Sequence, residues 1–184
     1  MDFDKLIRNW HIKASEEDYF SKFVFEYLAF IAYLRKKKFR YENDKQDRTT
    51  VQRLKQDNGT KSAYLSRIQS NEELKSAWEQ IKAKFDEKPF HDAARCSLEQ
   101  NEHAWWNCSH LKLCHQTKEE KEKRKGVIHN LKDWDNMVEF WYCVRNNLFH
   151  GEKDPENERD EFAVEFGYKT LRELVEILLV EVQQ

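Results

Sequence analysis

Glycine and proline are scarce, with four glycines and two prolines in 184 residues. An all-β sandwich needs many chain reversals, so this scarcity excludes it and favours long helices with few breaks. Long apolar runs are also missing. The best candidate, FVFEYLAFIAYL from Phe23 to Leu34, contains Glu26 and falls short of the ~20 residues that span a bilayer. The opening MDFDKLIRNW is acidic and mixed, unlike a secretory signal, so no membrane partner and a cytoplasmic location are expected. The four cysteines, Cys96, Cys108, Cys114 and Cys143, are too few for a disulfide framework and read as reduced thiols. A strong charge of either sign is absent too. With a formal net charge of −2, overall charge cannot draw the chain to nucleic acid, and any such binding must use local patches.

What is present is material for one core. Apolar residues make up 39% and aromatics 14%, enough for a single all-α domain over residues 1–184. Phe20, Phe23, Val24, Tyr27, Leu28, Ile31 and Leu34 recur at three- and four-residue steps, predicting one long helix over 15–40. Ser15 and Asp18 suit its start and the basic RKKKFR its end. A short helix is expected to stop near Asn58-Gly59, and another runs over 60–88, its second half capped by Ser70. Residues 89–126 have weak periodicity and read as an irregular insertion. Trp134, Met137, Trp141, Val144 and Leu148 form a tight seam over 131–150, with Val138, Tyr142 and Phe149 as a second stripe. Gly151 places the end of that helix at His150. A last amphipathic helix covers 158–182.

The seam helix carries the chemistry. On a wheel with Trp141 at zero, Arg145 lies about 40° away, on the flank of the apolar face. Asn146 and His150 lie at about 140° and 180°, so Arg145 and His150 diverge by about 140°. Fraying at the helix end and the reach of arginine relax that divergence. A second copy packed across a two-fold axis would bring two such pairs into one cleft, and the wide apolar arc leaves surface for it. Two plain structural roles compete. Arg145 can pair with Glu161 or Glu165, and His150 can simply cap the helix end.

The stretch RNNLFH, Arg145 to His150, fits an R-x4–6-H motif with a polar residue after the arginine. Together with the order of helices, it resembles the HEPN superfamily of small helical domains, specifically over 131–182 and more loosely over 15–40. That resemblance implies a HEPN-like bundle with a long N-terminal helix, acting as a metal-independent endoribonuclease without cofactor. Arg145 and His150 would be catalytic and Asn146 supporting. A toxin or antiviral defence role is implied as well, with a regulatory or antitoxin partner, or else an inactive module that binds a protein or nucleotide. The chemistry suits these side chains. RNA supplies its 2′-hydroxyl as nucleophile, histidine moves the proton, and arginine holds the phosphate.

Four other features stand out in the sequence. Arg35, Lys36, Lys37, Lys38 and Arg40 form a basic run that can steer an RNA backbone, although a solvated surface is the simpler explanation of it. The run Lys118 to Lys125 is broken by Glu119, Glu120 and Glu122. Cys108, His110, Cys114 and His115 offer zinc ligands without ordinary finger spacing, so a zinc-stabilised adaptor is a further alternative. Trp105-Trp106 must point to different sides of any helix or strand, which leaves one ring available to stack on a base or pack at an interface.

Overall fold

The computed structural model of the chain describes residues 3–14, 18–41, 46–86, 90, 127–150, 154 and 156–181. Among them are seven α-helices and no strand, so the fold is all-α. They are α1 (Phe3–Ala14), α2 (Tyr19–Tyr33), α3 (Asp47–Gln56), α4 (Asn58–Ser70), α5 (Glu72–Asp86), α6 (Trp134–Phe149) and α7 (Glu158–Glu181). Of the expected insertion over 89–126, only Phe90 is described, and it packs in the core. The zinc candidates, the tryptophan pair and the second basic run lie outside the described residues.

Local chemistry sets most boundaries, and in places it corrects the expectation. The long helix starts at Asp18, whose carboxylate accepts from the backbone N–H of Phe20 at 2.9 Å and of Ser21 at 3.2 Å. It does not run unbroken from residue 15, and it ends in a π-helical turn, Leu34–Lys38. An unanticipated helix, α1, precedes it. Ile7 and Ala14 of α1 are buried, and Trp10 stacks on Phe25 at 5.5 Å. The expected helix over 60–88 is two helices. Asn71 separates them, its side chain accepting from the Leu74 N–H at 3.0 Å, so Asn71 rather than Ser70 is the cap. Asp57 ends α3 and caps α4 through the Thr60 N–H at 2.7 Å. Gly59 therefore lies inside the first turn of α4 instead of terminating a helix.

The two helices flanking the motif form as their periodicity dictates. α6 begins at Trp134 and stops with His150 as C-cap, and α7 follows. α6 runs through the middle of the molecule, against α3 and α7, while α2 packs on α1 and α7. Trp141 is its hub, with its ring 5.5 Å from Tyr64, 5.7 Å from Trp78 and 6.2 Å from Trp134. Burying three indoles is favourable only if their N–H groups find acceptors. They do: Trp141 donates to Thr170 Oγ1 at 2.9 Å, Trp78 to the Tyr64 hydroxyl at 3.0 Å and Trp134 to the Leu54 carbonyl at 3.3 Å. The Tyr64 hydroxyl passes the chain on to the Thr170 carbonyl at 2.8 Å. Where α7 crosses α2, Gly167 leaves room for the buried Phe23 ring; a Cβ there would stand 3.0 Å from it.

Candidate functional site

The seam and most of the second stripe of α6 are used within the chain's own core. Trp134, Met137, Val138, Trp141, Tyr142 and Val144 are all buried. The apolar arc therefore does not leave the middle of this helix open to a second copy. What remains exposed is its C-terminal end, where Phe149 stands 55% accessible beside His150. A groove of about 380 Å³, lined by Phe20, Ser21, Val24, Phe25, Leu148 and Phe149, opens there.

The three motif residues are placed differently. His150 is the exposed C-cap of α6, with φ −99° and ψ 6°, and its backbone N–H still donates to the Asn146 carbonyl at 3.0 Å. Among the described residues its ring makes no hydrogen bond or ion pair, so the imidazole is accessible to solvent. Asn146 is buried, and its side-chain oxygen accepts from Arg145 Nη1 at 3.0 Å. Arg145 lies between two aromatic rings, 4.6 Å from the centroid of Phe149 and 5.9 Å from that of Tyr27. The structure thus joins the side chains of Arg145 and Asn146, while His150 meets Asn146 only through the backbone and its ring is bonded to neither side chain among the described residues.

The acid that binds Arg145 is neither Glu161 nor Glu165, as considered from sequence. Glu165 instead pairs with Lys169 at 2.5 Å. Arg145 Nη2 lies 3.1 Å from Oδ2 of Asp47, the first residue of α3. On its other side Asp47 meets Arg35 of the π-helical turn, with Nη2–Oδ1 at 2.5 Å. Two guanidinium groups from distant segments therefore share one carboxylate. The Tyr27 ring lies 5.9 Å from the Arg145 guanidinium, and its hydroxyl, buried and without a hydrogen bond, lies within the electrostatic reach of Asp47, Arg145 and Arg35. Burial holds its pKa well above 10, helped by the negative charge of Asp47 and opposed by Arg145 and Arg35. It is therefore a neutral O–H donor at physiological pH.

The basic run over 35–40 does not gather into one patch. Arg35 goes to Asp47, Lys37 to Asp4 at 2.6 Å and Lys38 to Asp57 at 3.2 Å. Lys36 sits over the Phe3 ring and Arg40 over Tyr41. Only Arg35 joins the motif. Asp47, Arg35 and Tyr27 were not singled out as partners of Arg145 from sequence, because their association depends on how α2, α3 and α6 pack. No group of three or more His, Cys, Asp or Glu side chains is placed to hold a metal among the described residues.

A second polar cluster pins α3 to α6. Glu139 is 2% exposed, lies 2.6 Å from Arg48 Nη1 and is also bound by Lys55. Burial pulls the Lys55 pKa down, against the pull of Glu139 upward. Arg48 also covers the Tyr142 ring at 5.1 Å. This cluster fixes α3, and hence Asp47, against the helix that carries the motif. Compared with family models, with curated proteins and with solved structures, the chain matches none.

Proposed function

We propose that the chain is a metal-independent endoribonuclease of HEPN type, cutting RNA through attack of the 2′-hydroxyl on the adjacent phosphate. One observation carries this reading. The R-x4-H pair sits at the solvent-facing end of the central helix, with an exposed histidine one residue from an exposed aromatic and an arginine whose side chain is 25% accessible. Histidine titrates near neutrality and serves as base or acid, worth about 10²- to 10⁴-fold. Arg145 holds non-bridging phosphate oxygens and offsets charge in the phosphorane. Asn146 orients the guanidinium. The products are then a 2′,3′-cyclic phosphate and a 5′-hydroxyl. Two copies meeting at the Phe149 groove would place both motifs along one edge and offset the divergence of arginine and histidine within one protomer. A toxin or defence role, held in check by a partner, fits such an activity.

The test is cleavage of RNA by the purified chain in EDTA, with end groups read by mass spectrometry. Cyclic phosphate ends are expected, and His150→Ala should lower the rate at least 10²-fold with the fold unchanged. Uncut RNA, or 3′-hydroxyl ends, would reject the assignment. One observation favours a second reading. Arg145 is occupied by Asp47, an arrangement that also suits a catalytically silent module binding a partner protein or nucleotide. That reading predicts no cutting by wild type and no functional loss in His150→Ala.

A further inference from the structure

We infer that Asp47 stands in the place of an RNA phosphate, and that Arg35 and Arg145, with the Tyr27 hydroxyl, form the phosphate-binding fork that it fills. The inference rests on the RNA reading for the identity of the ligand.

The charges are unbalanced in the direction an anion requires. Two guanidinium groups face one carboxylate, which has an oxygen for each: Oδ1 toward Arg35 and Oδ2 toward Arg145. The fit is also incomplete. Oδ1 is buried and makes no hydrogen bond, although it lies 2.5 Å from Arg35 Nη2. The Nε–H of Arg35, the Nε–H of Arg145 and the Tyr27 hydroxyl are buried without an acceptor. Tyr27 is only 2% exposed, so water does not satisfy its O–H from bulk. A buried donor left without an acceptor is costly, so these groups favour any ligand that supplies one. A planar carboxylate cannot serve two forks and a phenol at once. A tetrahedral phosphodiester, whose two non-bridging oxygens share one negative charge and point away from a single plane, with two bridging oxygens as further acceptors, matches two guanidinium groups better.

Asp47 can also yield its place. It is the first residue of α3, where the helix dipole favours its charge without a fixed side-chain direction, and its side chain is 18% exposed. The guanidinium heads it leaves are 33% and 25% exposed, so they reach the surface. Asp47 thereby acts as a resting occupant that a phosphate must displace, and Arg35 becomes a second binding residue beside Arg145.

The experiment uses the full chain and a fluorescent 2′-O-methyl RNA, which lacks the nucleophile and is not cut. Its binding is followed by anisotropy against salt for wild type, Asp47→Asn and Arg35→Gln, with thermal melts of each. Asp47→Asn should bind about tenfold tighter, since it keeps the shape and removes the competing charge. Arg35→Gln should bind about tenfold more weakly, with its salt slope shallower by about 0.7. Unchanged or weaker binding by a folded Asp47→Asn would make Asp47 a tether and overturn the inference. Should that variant not fold, an unchanged salt slope in Arg35→Gln overturns it equally. Cutting of ordinary RNA by wild type, with no tightening in Asp47→Asn, sinks this inference and leaves the nuclease. Tightening without any cutting sinks the nuclease and leaves the phosphate fork.

Discussion

Glu26 shows what one buried side chain does to the whole chain's stability. It lies wholly inside α2, with one oxygen 2.7 Å from His11 Nδ1 and the other without a partner. Burial raises its pKa above the ordinary value of 4.5, against the opposing pull of His11 and Arg172. The folded chain thus binds this proton more tightly than the unfolded chain does. The group's contribution is most favourable below about pH 4.5 and is lost as pH rises through the raised folded value. Glu26→Gln should remove that component, so the difference in denaturant midpoint between variant and wild type should grow in the variant's favour across this window. Gly167 is a second residue whose effect can be signed. Alanine there would gain about 1 kcal/mol of helix propensity. Its Cβ would stand 3.0 Å and 3.2 Å from two atoms of Phe23, a ring with no accessible surface. Overpacking of this kind costs about 1–3 kcal/mol, because a ring with no accessible surface can give way only by pressing on its own neighbours. Gly167→Ala is therefore expected to destabilise by about 1 kcal/mol in urea unfolding.

Among the elements, α3 is short and mostly polar and would not persist alone. Three apolar or semi-apolar positions, Thr50, Val51 and Leu54, face inward, and the Glu139 cluster does the rest. Replacing Glu139 with Gln takes from Lys55, whose side chain is 8% exposed, the carboxylate that binds it directly, leaving the charge of Asp135 to act on it. Breaking a buried pair on one side costs about 3–5 kcal/mol, while removing both partners is far milder. Glu139→Gln should lower stability by about 3 kcal/mol, and adding Lys55→Met should recover much of it; a double-mutant cycle in guanidinium measures this. Because α3 holds Asp47, the single variant should also loosen the grip on Arg145. The missed helix α1 makes a related point. Phe3, Leu6, Ile7, Trp10 and Ala14 recur at helical steps, so its pattern was legible in the sequence, and its stability comes from burying Ile7 and Ala14 and stacking Trp10 on Phe25 of α2. The break at Asn71 was expected one residue early, at Ser70: the apolar pattern lapses between Ile68 and Leu74, but which polar side chain turns to cap the next helix depends on the backbone around it.

For the whole molecule, the described residues enclose one core, and no helix among them is long and apolar enough to cross a membrane. The aromatic hub around Trp141 draws in α2, α4, α5, α6 and α7. The proposed dimer must then form at the end of α6 rather than along it. Phe149→Asp should convert it to monomer in sedimentation experiments and reduce RNA cutting, with the melting temperature little changed because Phe149 is 55% exposed.

The helical class, the presence of α6 and α7 and the halt at His150 were determined by the sequence alone, although α6 begins at Trp134 and not at 131. Each follows from periodicity, caps and chain breakers that act over one or two turns. The motif residues were visible for the same reason, as a pattern inside one helix. Only the tertiary structure decided what Arg145 binds. Asp47 and Arg35 come from segments far earlier in the chain, and their meeting depends on how α3 and the π-helical turn dock on α6. It also decided that the broad apolar arc of α6 serves the chain's own core. Periodicity identifies a face that must be buried, whereas which surface buries it is set by the packing of every other element.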